Sequence, residues 1–289
     1  MEMNPIPHVE PFFQALTGTW TCVVHDGPAA VIIDPVLDYD SKSGAVETTS
    51  IDKVMDYIAG NGLTLERILE THAHADHLTG ARFLPAADSV PVGIGAGIRK
   101  VQAHFAPVFG IPADAPELAD AFAETHADGD RIQAGGMTFE VMATPGHTSD
   151  SLSYRIGDNV FVGDTIFAPD LGTARCDFPG GGVEDLYRSI ERLHALPGHT
   201  RLWLCHDYPP AGREPRAWVS VEESRRDNRM LSAADNLETF AERRHARDAV
   251  LAAPKLLYPS LQVNIRGGAL PPADAEGRRY LITPITLRT

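Results

Sequence analysis

Three histidines and one aspartate are concentrated in the stretch ETHAHADHLTG, residues 70–80. The four side chains are His72, His74, Asp76 and His77. Histidine-rich tracts commonly bind metal ions, and histidines crowded together repel one another once they are protonated. His72 and His74 alternate as in an extended loop, whereas Asp76 and His77 stand where a helix is predicted to begin. The stretch therefore predicts metal ligands that point towards two neighbouring positions.

Three further candidate ligands follow, each just after a predicted strand. They are His147 in TPGHTSDS, Asp164 in FVGDTIF and His206 in LCHDY. Ligand crevices of α/β sheets form beyond the carboxyl ends of the strands, so we expect these residues to join the first four. Nitrogen and oxygen donors of this kind suit zinc, iron or manganese, and no cysteine is required. The seven residues predict a centre with room for one or two ions.

The composition restricts the classes of partner. The 289 residues carry a net charge of −14, which disfavours nucleic acid and anionic membranes as partners. No run approaches the roughly 18 apolar residues of a membrane span, and the N-terminus MEMNPIPHVEPFF lacks the basic and apolar regions of a secretory signal. Cys22, Cys176 and Cys205 are odd in number and far apart, which predicts reduced thiols. We expect a soluble cytoplasmic enzyme.

The remaining pattern mixes hairpins with strand and helix units. Hairpins are predicted at Asp26-Gly27, Gly135-Gly136 and residues 157–159, further strands at 65–71, 91–95 and 201–207, and helices at 50–62, where Ser50 can cap, and 183–196. Such mixing predicts an α+β fold of two mixed β-sheets packed together and flanked by helices.

Four segments are less regular. Residues 80–86 predict a helix that ends at Pro85, and residues 96–127, interrupted by prolines, are interpreted as a lid-like insertion. Residues 218–250 predict a charged helical region, and an irregular tail follows from residue 254. We expect a catalytic domain over residues 1–215 and a C-terminal helical extension and tail, residues 216–289, packed on the same domain.

The order H-x-H-x-D-H, then H, D and H, resembles the metallo-β-lactamase superfamily over roughly residues 15–210. The resemblance implies the αβ/βα sandwich of that superfamily, with the metal site on one edge. A finer similarity is to the persulfide dioxygenases (sulfur dioxygenases), which are close to the glyoxalase II hydrolases. The stretches that carry it are THAHADHLTGARFL, TPGHTSDSLSYRI, GDTIFAPDLGTARCDFPGG and CHDYPP followed by VSVEESRRDNRML.

The dioxygenase resemblance implies one Fe(II) per chain, held by His72, His147 and Asp164. Two histidines and one carboxylate leave coordination positions for a persulfide sulfur and O₂. The substrate would be glutathione persulfide or a similar low-molecular-weight persulfide, and the products sulfite and free thiol. The other four ligands would orient the first three and bound waters; they are His74, Asp76, His77 and His206. Zinc can also occupy such a site in a purified sample, because it binds more tightly than Fe(II).

The glyoxalase II resemblance implies a different use of the same residues. One metal would be bound by His72, His74 and His147, and a second by Asp76, His77 and His206, with Asp164 bridging. A metal-bound hydroxide would then attack a thioester. The ligands alone do not separate the two alternatives; the downstream stretches favour the dioxygenase. A lactonase would share the ligands, the acidic charge argues against a nuclease, and an open coordination position argues against a non-catalytic metal-binding partner in sulfur transfer.

Substrate contacts also follow from the resemblance. Arg175 would pair with a carboxylate of a glutathione-like substrate, although a surface salt bridge is the alternative. Tyr208 would donate a hydrogen bond to the substrate backbone, or else be a structural tyrosine. Cys176 is interpreted as packing rather than as a nucleophile. The loop 165–174 is about two residues longer than in the human-type enzymes, and the resemblance further implies a homodimer through the C-terminal region.

Overall fold

The computed structural model describes residues 7–84, 89–112, 114–231 and 235–287. The strands are β1 (His8–Gln14), β2 (Thr19–Asp26), β3 (Ala29–Ile33), β4 (Val36–Asp40), β5 (Ala45–Glu47), β6 (Thr64–Leu69), β7 (Leu78–Thr79), β8 (Val92–Gly95), β9 (Glu124–His126), β10 (Arg131–Ala134), β11 (Met137–Ala143), β12 (Leu152–Ile156), β13 (Asn159–Phe161), β14 (Arg201–Trp203) and β15 (Trp218–Ser220). The helices are α1 (Thr49–Gly60), α2 (Ile98–Val108), α3 (Pro116–Ala119), α4 (Val183–His194), α5 (Val221–Asp227), α6 (Leu237–Asp248) and α7 (Leu257–Asn264).

Two six-stranded mixed sheets form the centre of the fold. The first has the order β1-β2-β3-β6-β8-β9 and the second β10-β11-β12-β13-β14-β15, and a small sheet β5-β4-β7 lies beside them. The first sheet is antiparallel from β1 to β3 and parallel from β3 to β9. The second is antiparallel except where β13 pairs with β14. The predicted class, an α+β sandwich of two mixed sheets flanked by helices, is confirmed.

The hydrophobic pattern explains how the layers pack. Val31 of the first sheet and Phe139 and Tyr154 of the second belong to one buried cluster between the sheets. Ile51 of α1 packs into a second cluster outside the first sheet, and Leu186 of α4 into a third outside the second sheet. Apolar side chains therefore cover both faces of each sheet. Burying one such side chain stabilises the fold by roughly 1.5–3 kcal/mol. The three predicted hairpins are present.

Two local predictions near α1 and β7 are wrong in detail. Ser50 lies inside α1, and the N-cap residue is Thr48. The side chain of Ser50 does not cap the helix; its amide and hydroxyl both donate to the Asp38 carboxylate (2.6 and 2.8 Å). The predicted helix over residues 80–86 is only a 3₁₀ turn, Ala81–Phe83. Leu84 is extended, as the residue before a proline prefers, and residues 85–88 lie outside the described residues.

The interpretation of residues 96–127 as a lid is also wrong. The segment supplies α2, α3 and the strand β9, which pairs in parallel with β8 at the edge of the first sheet. Ile98 and Val101 of α2 are buried in the cluster outside that sheet. The segment is therefore a layer of the sandwich; Ala113 within it lies outside the described residues.

The C-terminal part is more regular than the sequence predicts. Residues 218–250 begin with β15, which extends the second sheet, before α5 and α6; residues 232–234 are outside the described part. The tail predicted as irregular contains α7, whose residues 260–264 are buried. Pro259 lies in the first turn of α7, where proline is tolerated. The division at residue 215 stays a prediction, and no described helix has the length and apolar character needed to cross a bilayer.

Candidate metal centre

The donor loop, residues 70–80, joins β6 to β7 at the edge of the sandwich. Its start is held by two buried carboxylates: Asp34 accepts from the amide and hydroxyl of Thr71 (2.7 and 2.9 Å), and Asp150 accepts from the amide of Ala73 (2.8 Å). Asp34 has a φ of 50°, an uncommon conformation for a residue with a side chain. No helix begins at Asp76, where one was predicted; His72 and Asp76 both lie in bends of the loop before β7.

Tight turns deliver His147 and Asp164 to the donor loop. Each follows a glycine with positive φ, 134° at Gly146 and 52° at Gly163. A Cβ atom on Gly146 would collide with the backbone of Leu186 in α4, and one on Gly163 would lie 2.8 Å from the Thr71 hydroxyl oxygen. These two positions therefore require glycine, which ties both ligands to their neighbouring elements.

The structure brings all seven predicted donors together, in two groups. In each group, donor atoms lie within 4.8 Å of one another. The primary group is His72, His147 and Asp164; the second group is His74, Asp76, His77 and His206. Asp164 faces both groups, because its Oδ2 is 3.6 Å from His147 Nε2 and its Oδ1 is 3.5 Å from His206 Nε2.

Hydrogen bonds outside the centre fix the histidine rings. The Nδ1 of His147 donates to the carbonyl oxygen of Arg175 (2.8 Å), and the Nδ1 of His206 is 3.2 Å from the Thr19 hydroxyl. The Nε2 of His74 is 3.1 Å from the Asp34 carboxylate. Such outer partners orient a ligand and select its tautomer.

The inward-facing atoms have no hydrogen-bond partner among the described residues. They are Nε2 of His72, His77 and His206, Nδ1 of His74 and Oδ1 of Asp164. Leaving a buried polar atom unpaired costs about 1–3 kcal/mol, so five such atoms at one point would be strongly unfavourable without a shared partner. Cations bound at the two groups would satisfy these atoms, and the nitrogen and carboxylate donors fit zinc, iron or manganese. The donors therefore form a metal-binding site.

The electrostatics keep His72, His77 and Asp76 in the protonation state that a metal requires, whereas burial raises the pKa of Asp164. Burial together with His74 lowers the pKa of His72 well below its usual value, and the same causes lower the pKa of His77 to about 3. Burial alone would raise the pKa of Asp76, but His206 and His77 hold it well below its usual range. Neutral imidazoles and an ionised carboxylate are the forms that bind metal. His74 differs, because Asp34 and Glu70 raise its pKa against the effect of burial.

Arg175 has protein partners on each side of its guanidinium group. Its Nε and Nη2 donate to the Asp177 carboxylate (2.6 and 2.8 Å), and its Nη1 donates to the carbonyl of Ala252 (2.7 Å). The group also lies 5.0 Å from the ring centre of Phe178. The intramolecular salt bridge considered as the alternative is thus present, and the contribution of Arg175 to the metal centre is its backbone carbonyl on His147. Its role in substrate binding stays a prediction.

Tyr208 also contacts the centre directly. Its hydroxyl donates to Asp76 Oδ2 (2.8 Å), and its ring stacks on His206 with 5.8 Å between ring centres. The predicted hydrogen bond to a substrate remains untested. Cys176 is buried, and its pKa is raised to about 12 by burial and by Asp248, so it is a thiol at neutral pH and suits packing better than nucleophilic attack.

A cavity of about 220 Å³ opens onto the primary group. His147 and Asp164 line one end, and the apolar side chains of Phe167, Leu171 and Phe178 line the walls. The predicted residues Asp76, Arg175 and Tyr208 also line the cavity, and the C-terminal part adds Arg244, Arg247, Leu251 and Pro254. The sequence analysis missed these C-terminal residues; an arginine-rich helix, LETFAERRHARD, was the available signal.

The two arginines that α6 contributes to the cavity have different partners. Arg244 is buried, donates to the carbonyl of Thr173 (2.9 Å) and to Asp248 (2.6 Å), and has an Nε without a partner among the described residues. Arg247 is exposed, and within the described ranges no carboxylate forms an ion pair with it. The cavity therefore presents positive charge opposite the metal donors.

Comparison with known proteins agrees with this geometry. The model of the metallo-beta-lactamase superfamily matches residues 16–206. The beta-lactamase hydrolase-like protein of Xylella fastidiosa is 44% identical over 96% of this chain and 65% of its own length. The chain thus spans less than two thirds of that relative. Glyoxylase B2 of Dictyostelium discoideum is 39% identical over 96% of both proteins.

Two further matches support the finer resemblance. The mitochondrial persulfide dioxygenase ETHE1 of Bos taurus is 32% identical over 68% of this chain and 66% of its own length. The crystal structure of ETHE1 from Myxococcus xanthus superimposes with a TM-score of 0.71 and 30% identity, covering 91% of this chain and all of that one. The seven donors lie together, and the family model matches residues 16–206, so the chain belongs to the metallo-β-lactamase superfamily.

Proposed function

We propose that the protein is a persulfide dioxygenase that uses one Fe(II) bound by His72, His147 and Asp164. The observation that carries the proposal is that the ligand atoms of these three residues lie within 4.8 Å of one another, and that His147 and Asp164 line the cavity. Two histidines and one carboxylate are the ligands of oxygenases that bind both substrate and O₂. The similarity to the bovine persulfide dioxygenase supports the same choice.

Iron bound there would supply O₂ activation beside a soft sulfur ligand. The balanced reaction has two steps: the persulfide anion and O₂ give a sulfinate, RSSO₂⁻, and its hydrolysis by one water gives the thiol RSH and HSO₃⁻. Phe167, Leu171 and Phe178 would exclude bulk water from the reacting sulfur. The second group would hold water and orient Asp164 through His206.

The positive end of the cavity indicates the substrate class. Arg244 and Arg247 of α6 line the same cavity as His147 and Asp164, and a guanidinium binds a carboxylate through paired hydrogen bonds. Glutathione persulfide, or another small persulfide that carries a carboxylate, combines the sulfur and the anionic group that this cavity would accept. Arg175 and Arg244 are already paired, with Asp177 and Asp248, which makes Arg247 the preferred candidate for this contact.

A thioester hydrolase with two metals is the second candidate. Its support is the position of Asp164, whose two oxygens face separate donor groups as a bridging carboxylate would. The similarity to Glyoxylase B2 adds to it. In that case both groups would hold a metal, and a bound hydroxide would be the nucleophile.

One experiment separates the two candidates. Protein loaded anaerobically with one equivalent of Fe(II) is supplied with glutathione persulfide in an oxygen electrode, and sulfite is quantified. The expected result is one O₂ consumed per sulfite formed, with no consumption by a zinc-loaded sample. The proposal fails if the iron-loaded protein consumes no O₂ and instead hydrolyses S-lactoylglutathione with two metals bound.

A further inference from the structure

Asn264, the last residue of α7, forms hydrogen bonds with the backbone of the donor loop. Its Nδ2 donates to the carbonyl oxygens of His74 (2.7 Å) and His77 (2.8 Å), and its Oδ1 accepts from the amide of Thr79 (2.9 Å). The side chain is buried, with 3% of the residue exposed. One carboxamide thus forms three hydrogen bonds across six residues of the loop.

The bonds fall on one donor group only. Residues 74–79 contain three members of the second group, His74, Asp76 and His77, and none of the primary group. The loop has neither helix nor strand between β6 and β7, so its buried backbone groups need partners from elsewhere. Asn264 supplies them on both sides of Asp76, which fixes the direction of each peptide between the donors.

Asn264 is itself held firmly. Leu261 and Val263 of α7 are buried, and Gln102 of α2 donates to the carbonyl of Ile265 just after the helix (2.9 Å). Gly267 packs against the backbone of Ala121 with a φ of 61°, a contact and conformation that only glycine allows readily. The end of α7 is therefore anchored to the first sheet and its helices.

We infer that Asn264 is a positioning residue for the second donor group. Through the carbonyls of His74 and His77, it holds the loop so that three side chains point together at a cation position beside Asp164 and His206. The residue does not touch the metal. The inference concerns the donor arrangement alone, so it does not depend on which reaction the protein catalyses.

The test is the binding of zinc to demetallated protein in excess Zn²⁺, measured by calorimetry and by metal content. We expect the wild type to take up two ions. Asn264→Ala should weaken the second binding event about 10- to 100-fold, the usual effect of removing an outer partner of a ligand, and change the first by less than about twofold. Asn264→Asp keeps the size of the side chain and its acceptor oxygen, but it replaces the donating Nδ2 with an oxygen that faces the carbonyl oxygens of His74 and His77. Its effect should therefore be at least as large.

Gln262→Ala is the matched control on the same helix. Gln262 is equally buried and also makes three hydrogen bonds, to the carbonyls of Tyr258 and Ile282 and from the amide of Ile282, all away from the donor loop. It should lower the melting temperature about as much as Asn264→Ala while leaving both zinc affinities unchanged. The visible spectrum of cobalt at the second position should change only in the Asn264 variants.

Two results would overturn the inference. In the first, the Asn264 and Gln262 variants lose thermal stability alike and bind both ions as the wild type does, which would make Asn264 a structural residue only. In the second, the wild type takes up a single zinc ion even in excess, which would mean that Asn264 does not prepare a cation position.

Discussion

The donor loop and the C-terminal segment from α6 to α7 serve the same centre in different ways. The donor loop supplies ligands through residues one or two positions apart, whereas the C-terminal segment supplies no ligand. Its Arg244 and Arg247 line the cavity. Its Asn264 donates a hydrogen bond to the carbonyl oxygen of His74, which is 190 residues away in sequence. Four of the seven donors are thus close in sequence, whereas the other three, the substrate cavity and the support of the loop depend on long-range packing.

The largest effects should come from the ligands themselves. Asp164→Ala removes the carboxylate that faces both donor groups and should lower kcat/KM by more than about 100-fold, beyond the usual loss for an outer partner, together with the iron content. His206→Ala should be milder and leave the iron content near one per chain, because His206 belongs to the second group only. Steady-state kinetics with metal analysis measure both.

An equal loss in the two variants would favour the two-metal alternative. If His206→Ala abolished activity as completely as Asp164→Ala, the second group would have to hold a catalytic metal. The contrast between the two groups, rather than either variant alone, therefore decides how many metals the reaction uses.

The C-terminal segment should affect substrate binding more than chemistry. Arg247→Ala should raise KM for glutathione persulfide about tenfold or more with little change in kcat, because a hydrogen bond to a charged group contributes roughly 1.5–3 kcal/mol. Arg243→Ala is the control: it lies on the same helix but pairs with Asp235 and does not line the cavity. A persulfide without a carboxylate should show no difference between the Arg247 variant and the wild type.

A fall in kcat with unchanged KM would contradict this assignment. It would place Arg247 in the reacting centre rather than at the anionic end of the substrate. The Arg247 variant would then affect the chemical step, as substitutions of the metal ligands do, and the two regions would not differ in their effects on kcat and KM.

The sequence predicted the parts of the site that depend on nearby residues. The hairpins and the four clustered donors follow from turn dipeptides and ligand spacing, which act over a few residues, and His147, Asp164 and His206 follow from their positions at strand ends. The helix α7 was missed because its last five residues are all buried and show no amphipathic period. The partners of Arg175 could not be inferred either, since Ala252 lies 77 residues away.

The same reasoning explains the lid that proved to be a layer. Prolines in residues 96–127 suggested an irregular insertion, but Ile98 and Val101 cover an apolar sheet face that only the assembled fold presents. Tertiary burial decided the structure there, and a pattern within the segment could not reveal it. Asn264 is a similar case, because nothing in the local sequence distinguishes it from a surface asparagine.

The smallest effect on activity is expected at His194, which belongs to neither region. It ends α4, is buried, and its Nε2 lies 3.0 Å from the hydroxyl of Ser224 in α5. Burial, assisted by Arg225, lowers the pKa of His194 to about 4. The unfolded chain binds a proton near pH 6.5 and the folded chain does not, so the stability that His194 contributes is complete above pH 6.5 and is lost as the pH falls towards 4. The loss should amount to roughly 3 kcal/mol.

Urea unfolding of the wild type and His194→Gln between pH 7.5 and 5 measures this contribution. Both proteins carry the same seven donors, so acid release of the metal affects them alike and cancels in the difference. The wild type should lose stability more steeply below pH 6.5, while kcat/KM at pH 7.5 should be the same in both. If the stability of both proteins fell with pH in parallel, His194 would not contribute to the acid sensitivity, which would then arise at other groups such as the metal donors.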